Sequence, residues 1–451
     1  MAYYDLQHYK KAISYFQQAL TITQEIGARR GEMANLGNLG MVYDELGQYN
    51  KALDYHQQSL VIGREIGDLA SESRTLGNLG SVYLNLGDFR HAIEFHEKCL
   101  MIAKNIQARQ TEGNTLGDLG SVYKNLGDYQ RAIDFRQQHL TIAREIGDRK
   151  GEGTAQCGLG GIYQHMGQYQ KAAECYQKSL NIAREIGDRK GKGNVLKNLG
   201  DICDLLGQYQ NAIDFYQQSL DLAQEIGNRQ GEMSSLIGLG ITFKNLGKYE
   251  QSFVFHQQSL TIAREIGDRQ NEVNALGNLG NIYDLVGQYQ DAIGFHNQFL
   301  AVARETGNRQ GESQGLTNLG ISFKNLGDYA LAIDFHQRSL TITREMEDRK
   351  GEGNALCNLG VTYGNLAQYQ LAIDFLQQYL LIAQEIGDRA GEGRALANLG
   401  NAQTKLAHFD DAIRSFEAAL VIFRELEIQS MEMQVLKMLG YLAFMKQLGK
   451  F

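Results

Sequence analysis

The sequence predicts an all-α solenoid of antiparallel helix hairpins, with about 22–23 helices in 451 residues. Three observations predict it: a repeat of about 40 residues, apolar side chains at helical spacing inside each repeat, and glycines at fixed positions between helices. The chain contains no proline, although average usage would give roughly twenty. Without a proline-rich linker to divide it, we expect one continuous array rather than separate domains.

The repeat is most visible in its leucines. A second leucine column begins at Leu20, and a column of small residues begins at Ala12 and is broken only by Ser252. Every leucine of the main column is followed by glycine, and these leucines are Leu39, Leu79, Leu119, Leu159, Leu199, Leu239, Leu279, Leu319, Leu359, Leu399 and Leu439. A period kept this strictly is typical of stacked structural repeats.

Each repeat is expected to hold two helices. In residues 31–68, Gly47 separates two segments whose apolar residues recur at helical spacing. Gly67 is expected to end the second helix in a left-handed conformation, and Asp68 to cap the next. Gly40 lies inside the first helix, where glycine costs about 1 kcal/mol relative to alanine. We expect it to face Ala52, so that the two helices of a hairpin approach closely.

Composition argues against several classes of function. The formal net charge is −8 and the sequence pI is about 5.8, so a nucleic-acid binder with a basic stripe is not expected. The cysteines form no CxxC pair and are expected to be free thiols in a reducing compartment. No segment approaches the length of an apolar membrane span or a signal peptide. We therefore expect a cytoplasmic protein with no membrane partner. The five cysteines are Cys99, Cys157, Cys175, Cys203 and Cys357.

The repeat resembles the tetratricopeptide repeat (TPR). Its Leu-Gly-x-x-Tyr pattern matches Leu39 to Tyr43, followed by Tyr49, Ala52 and Leu60. Two departures are a period of about 40 instead of 34 residues and a leucine, Leu36, at the family's frequent tryptophan position. The array is similar to those of kinesin light chains, Pins-type polarity scaffolds and bacterial signalling proteins. The resemblance implies a right-handed superhelical solenoid whose first helices line a concave groove.

The predicted domain organisation is a single TPR solenoid over residues 1–451. It divides into a partial repeat over 1–28, ten 40-residue repeats over 29–428 and a divergent helix over 429–451. Tyr3 takes the place of Tyr43, so the chain is expected to open in the middle of a first helix. In the last helix, Leu442 and Phe444 belong to an apolar set too wide for one neighbouring helix to cover. Both ends are candidates for self-association.

The first helix has a second face on which asparagine recurs. Asparagine is a mediocre helix former, but its amide both donates and accepts and can hold the backbone of an extended peptide. The resemblance implies peptide-backbone binding; the alternative is that each amide satisfies a polar group of a neighbouring helix. Asp118, Gly158 and Gly238 interrupt the column. We define the asparagine ladder as Asn38, Asn78, Asn198, Asn278, Asn318, Asn358 and Asn398.

Charged residues share this face. Asp44, Asp204 and Asp284 occupy the same column as three of the lysines, so the groove is mixed in sign and only weakly favours an acidic peptide. A solvated charged surface is the alternative for any one of them. The cations proposed to contact a ligand are Arg74, Lys124, Lys244 and Lys324, with Lys197 and Arg394 on the same side.

Catalytic and metal-binding motifs are not predicted. Five histidines recur in one column, but equivalent residues are two helices apart, and phenylalanine and leucine fill the same position in other repeats. There is no HExxH, Walker loop or nucleophile elbow, and the glycine-rich stretch from Gly158 to Gly161 is read as helix interior. We expect no cofactor and no enzyme activity. The histidines are His56, His96, His256, His296 and His336.

The sequence therefore predicts a non-catalytic scaffold or adaptor that binds an extended protein segment or peptide along its first helices. Two alternatives stay open. The array could be a spacer that associates end to end, or the sensor part of a larger signalling enzyme.

Overall fold

A computed structural model describes residues 9–448, and in this part of the chain all regular secondary structure is helical. Twenty-two α-helices are described, which agrees with the predicted number. In chain order they are α1 Tyr9–Glu25, α2 Arg29–Glu45, α3 Tyr49–Glu65, α4 Leu69–Asn85, α5 Phe89–Asn105, α6 Arg109–Asn125, α7 Tyr129–Glu145, α8 Arg149–His165, α9 Tyr169–Glu185, α10 Arg189–Leu205, α11 Tyr209–Glu225, α12 Arg229–Asn245, α13 Tyr249–Ile266, α14 Arg269–Leu285, α15 Tyr289–Glu305, α16 Arg309–Leu326, α17 Tyr329–Glu345, α18 Arg349–Asn365, α19 Tyr369–Glu385, α20 Arg389–Lys405, α21 Phe409–Glu425 and α22 Gln429–Gln447.

The chain forms two compact units, Met1–Gly231 and Glu232–Phe451. Within each unit consecutive helices pack against each other, so the predicted all-α repeat solenoid is confirmed. Even-numbered helices are the first helices of the repeats. In the first unit α2, α4, α6 and α8 contact one another in succession, and in the second α14, α16, α18 and α20 do the same. The prediction that residues 1–451 form a single continuous solenoid stays a prediction.

The turns follow the predicted chemistry. Gly47 and Gly67 have φ angles of +69° and +67°, the left-handed region that glycine enters without a Cβ penalty. The Oδ1 atom of Asp68 accepts a hydrogen bond of 3.0 Å from the backbone N–H of Ser71 and so caps α4. Turns of this length reverse the chain and set each helix beside its predecessor.

The helices pack closely at Gly40, as predicted. A Cβ at residue 40 would lie 2.5 Å from Cε1 of the His56 ring, a neighbour that the sequence did not predict. The alanine column lies beside it: in equivalent pairs, the backbone oxygens of Ala132 and Ala372 are 3.3 and 3.2 Å from a Cβ at Gly120 and Gly360. The histidine column therefore lies against the glycine column, and the imidazole replaces the bulk that a side chain at residue 40 would supply. The same packing joins Gly80 to His96.

Two ladders of side chains hold the repeats together. Stacked aromatic pairs such as Tyr43 and Tyr55, with ring centroids 5.3 Å apart, join the two helices of a hairpin. A buried glutamate then links successive repeats: Glu272 accepts from Nε of Arg264 at 2.8 Å and from Nη1 of Arg269 at 2.5 Å.

The last helix, α22, is exposed along part of its apolar face. Leu442 is buried against α21, whereas Phe444 is 58% exposed and Tyr441 is 49% exposed. The N-terminal half-repeat around Tyr3 lies outside the described residues, which begin at Tyr9. All five cysteines are free. Within residues 9–448, no helix has the length and apolar character needed to cross a membrane.

Candidate functional site

The asparagine ladder lies on the first helices, and all seven side chains are half-buried. Two of them bond to the preceding repeat: the Nδ2 atoms of Asn198 and Asn398 donate to the Sγ atoms of Cys157 and Cys357, at 3.6 and 3.8 Å. These two amides fit the alternative that the ladder satisfies neighbouring helices. The side-chain amides of the other five make no hydrogen bond to any described residue, and these are Asn38, Asn78, Asn278, Asn318 and Asn358.

Asn278 and Asn318 line one cavity of about 460 Å³ in the second unit, which we name the amide cavity. Its lining also includes the apolar side chains of Phe299 and Val273. Within the described part of the chain, its lining has no charged side chain. A cavity walled by neutral donors and acceptors can pair with backbone N–H and C=O groups without selecting for charge. The other amides of its lining are Gln270, Asn274, Asn281, Asn308, Gln310 and Gln314.

A larger cavity of about 820 Å³ lies in the first unit, between α6, α8 and α10, and we name it the arginine cavity. Lys124 and Asn198, both predicted as site residues, line it. Lys197 also lines it but is neutralised by Asp201, whose Oδ2 atom is 2.6 Å from Nζ. The predicted mixture of signs on this face is therefore present, although part of it is already paired.

Arg136 of α7 is the residue of the arginine cavity that the sequence analysis missed. It occupies the column that holds histidine in five other repeats and phenylalanine, tyrosine or leucine in the rest. Its guanidinium lies against Gly158, where a Cβ would be 2.6 Å from Cζ. The sequence contains two signals for it. Arg136 is the only charged residue in an otherwise aromatic or apolar column, and Gly158, the residue that it contacts, is a position where the asparagine ladder is interrupted.

The remaining predicted residues lie on first helices of the repeats in each unit. Arg74 is exposed on α4, whereas Lys124, Lys244 and Lys324 are half-buried in the last turns of α6, α12 and α16. Burial lowers the pKa of Lys324, while nearby Cys357 and Asp284 act in the opposite direction. Asn398 lines a third cavity of about 690 Å³, together with Lys405 and Tyr441 of the last helix.

The histidine column is packing surface. His96, His256 and His336 are fully buried against glycines, and burial lowers the pKa of each to about 4. Among residues 9–448, no group of three or more histidine, cysteine, aspartate or glutamate side chains is placed to hold a metal ion. The stretch from Gly158 to Gly161 lies inside α8, as predicted.

Comparison with known proteins gives one family. The family model described as tetratricopeptide repeat matches residues 1–65, 33–105, 71–145, 151–225, 231–305, 311–385 and 355–425. No curated protein sequence matches the chain.

Several solved structures are similar in fold. A signal transduction ATPase with a tetratricopeptide repeat sensor from Pyrococcus horikoshii is 15% identical, with a TM-score of 0.57; the match covers 79% of this chain and 55% of that one. The apo quorum sensor NprR from B. thuringiensis is 17% identical, with a TM-score of 0.50, 76% of this chain and 100% of that one covered. The repeats of a putative kinesin light chain from Podosopora anserina are 18% identical, with a TM-score of 0.38, over 43% of this chain and 96% of that one.

Proposed function

The chain belongs to the tetratricopeptide repeat family, and on that premise we propose that it is a non-catalytic scaffold that binds an extended peptide segment along its first helices. The bound segment lies across the asparagine ladder, with its backbone held by side-chain amides. The protein works in the cytoplasm, without a cofactor.

The five unpartnered amides carry this proposal. Asn278 and Asn318 are half-buried, and neither contributes a buried polar atom without a partner, so their amides stay open to water. Each lies in a helix interior, where alanine would be the better residue. An extended backbone offers alternating donors and acceptors that replace this water. A ligand of this kind explains both the residue type and its position.

The amide cavity adds geometry to the ladder. Neutral amides and the apolar side chains of Phe299 and Val273 line this cavity together with Asn278 and Asn318. This combination fits a peptide whose backbone forms hydrogen bonds with the amides while a small apolar side chain packs against Phe299 and Val273. Repeated weak sites of this type along one chain raise the overall affinity, because binding at one site concentrates the peptide at the next.

A peptide-display selection tests this proposal. Random dodecapeptides are selected against the wild-type chain and against the variant carrying Asn278→Ala, Asn318→Ala and Asn358→Ala, with helicity checked by circular dichroism. Asn297→Ala, at an exposed position on α15, is the matched control because it removes one amide from a second helix. Peptides enriched by the wild type and the control but not by the triple variant support the proposal. The same peptides enriched by all three contradict it.

A second candidate function, self-association, rests on the exposed face of α22. Tyr441 and Phe444 are half-exposed or more, and Met433 is 68% exposed. Aromatic and methionine side chains concentrated on one terminal helix are typical of an interface. Sedimentation over a range of concentrations tests it: a mass that rises with concentration and falls back in Phe444→Glu supports association, and a constant monomer mass removes it.

A further inference from the structure

Pairs of arginines hold a carboxylate at several contacts between successive repeats. Where α7 meets α8, Nε of Arg144 donates to Oε1 of Glu152 at 2.9 Å, and Nη1 of Arg149 donates to Oε2 of the same side chain. The glutamate lies in the first turn of α8 and is buried. Two arginines therefore bind one oxyanion between them. The same arrangement recurs at Glu272, Glu312 and Glu352.

The contact between α9 and α10 has the two arginines but not the glutamate. Arg184 and Arg189 occupy the arginine positions, and Lys192, which is half-buried, occupies the glutamate position. The turn has the same geometry as one repeat earlier, since the backbone N–H groups of Gly151 and Gly191 each donate to a capping aspartate at 2.8 Å. The arginines are thus placed for an oxyanion that the chain does not supply here.

The exchange leaves an excess of positive charge. One repeat earlier, two arginines face two glutamates, one on each helix of the hairpin. Here three cations face Glu225, which pairs with Arg189. Arg184 and Lys192 form no ion pair with any described residue. A lysine in the first turn of α10 also opposes the helix dipole, which favours negative charge at that end. Positions that break local rules at a cost in stability are often functional.

Asp221 of α11 is the acid that could compensate Lys192 from within the chain. It is the equivalent of Thr141, which lines a shallow hollow beside Glu112. The Asp221 side chain accepts a hydrogen bond of 2.7 Å from Nε2 of Gln217, and it forms no ion pair with Lys192 in the described part of the chain. Asp221 is therefore an internal competitor for an external anion, and the test has to include it.

We propose that Arg184, Arg189 and Lys192 form a binding site for a dianionic phosphate group, either free or carried by a peptide. Such a group carries a charge of about −1.5 to −2 at pH 7 and has three strong acceptor oxygens. It matches the charge that Glu225 leaves unbalanced, whereas a carboxylate would neutralise only part of it. Guanidinium groups form strong charge-assisted bonds with phosphate.

The phosphate site goes beyond the proposed function and does not depend on it. None of its three side chains lines the arginine cavity or the amide cavity, where the ladder asparagines are found. The side chain of Arg189 is 57% exposed, against 42% for Arg149 one repeat earlier, so a ligand can reach it from solvent.

Three fluorescent heptapeptides of glycine and serine test the phosphate site; their central residue is phosphoserine, serine or glutamate. Dissociation constants are measured by anisotropy at fixed ionic strength. Lys192→Glu is the test variant, because it restores the residue that other repeats hold between two arginines, and the chain is expected to fold. Lys190→Glu makes the same change of charge at an exposed position of α10 and is the control, since residues two apart on a helix do not face each other.

The wild type and the control are expected to bind the phosphoserine peptide at least about tenfold more tightly than the serine peptide. Lys192→Glu is expected to abolish this difference. A difference that survives in Lys192→Glu overturns the site. Wild-type binding of the glutamate peptide as tight as that of the phosphoserine peptide overturns the assignment to phosphate.

Inorganic phosphate distinguishes the two sources of the group. Thermal unfolding midpoints are compared in phosphate and in chloride at equal ionic strength. A gain in phosphate that the control keeps and Lys192→Glu loses assigns free phosphate as a sufficient ligand. The peptide effect without this gain assigns a phosphorylated peptide. The absence of both effects in the wild type overturns the site.

Asp221→Asn separates the phosphate site from an internal ion pair. If Lys192 serves an external anion, removal of the competing carboxylate should tighten binding of the phosphoserine peptide about twofold or more. If Lys192 serves Asp221 instead, the variant should unfold at a lower temperature without any gain in affinity. That second result contradicts the proposal.

Discussion

The imidazole ring of His336 lies so close to Gly320 that a Cβ at residue 320 would stand 2.4 Å from its Cε1 atom. The helix accepts a glycine in its interior because the second helix of the hairpin fills the space. The same relationship joins Gly400 to Phe416, with the phenylalanine Cε1 atom 2.8 Å from the position of a Cβ. The Leu-Gly motif of the repeat is therefore a steric requirement of the aromatic column opposite.

Gly320→Ala is expected to destabilise the chain by about 1–2 kcal/mol, because overpacking outweighs the roughly 1 kcal/mol gain in helix propensity. Gly294→Ala, on an exposed face of α15 with no atom within 4 Å of the new Cβ, is the control and should stabilise the chain. Urea unfolding midpoints followed by circular dichroism measure both. Equal gains from the two substitutions would show that the glycine column has no steric role.

The buried histidines make stability depend on pH. Burial, with a smaller contribution from Lys324, lowers the pKa of His336 to about 4, whereas an unfolded histidine titrates near 6.5. The neutral ring is the form that the fold accepts. Its contribution to stability is complete above about pH 6.5 and is lost as the pH falls towards 4, because the unfolded chain then binds the proton more readily.

His336→Phe is expected to reduce this loss, since Phe416 already fills the same column against Gly400. The difference in unfolding free energy between pH 7 and pH 4.5 should shrink by up to about 3 kcal/mol in the variant. His165→Gln, at an exposed position on α8, is the control for the removal of a histidine. An unchanged pH dependence in His336→Phe would mean that this histidine is not held neutral.

Glu272 is expected to stabilise the contact between two successive repeats. Burial raises its pKa, but hydrogen bonds from Arg264 and Arg269 outweigh that effect and leave the pKa below its usual value. Glu272→Gln should destabilise the chain by about 1–3 kcal/mol at pH 7. The deficit should disappear as the pH falls through the depressed pKa, where the wild-type carboxylate is protonated as well.

Arg269→Gln gives the comparison for this glutamate. Arg269 is about 41% exposed, so solvent screens its ion pairs and its loss should cost less than the loss of the buried Glu272 carboxylate. The two variants are compared by urea unfolding at several pH values. A larger cost for Arg269→Gln than for Glu272→Gln would contradict the view that the buried carboxylate is the centre of the network.

The fold could be predicted from the sequence because each repeat restates the same periodic pattern. Leu39 and Tyr43 mark a helix face, Gly47 marks a turn, and nine further repeats remove the ambiguity of any one of them. The nearest side chain to Gly40 could not be predicted in this way. Ala52 and His56 both lie on the facing side of the second helix, and spacing does not say that the His56 ring fills the space left by the glycine.

The candidate site was less predictable than the fold for a related reason. Spacing places Asn198 and Asn278 on equivalent faces, but it does not say that Asn198 has a cysteine partner and that Asn278 has none. Arg136 was missed because it belongs to a second-helix column that is otherwise packing surface. Its side chain reaches the first-helix side only because Gly158 removes the obstruction.

The most direct test of the central claim is the affinity of the Asn278→Ala, Asn318→Ala variant for a peptide selected on the wild-type chain, measured by isothermal titration calorimetry. Loss of several backbone hydrogen bonds predicts a dissociation constant raised at least about tenfold, with helicity unchanged and Asn297→Ala binding as the wild type does. An affinity equal to that of the wild type would contradict the proposal that these amides hold the ligand.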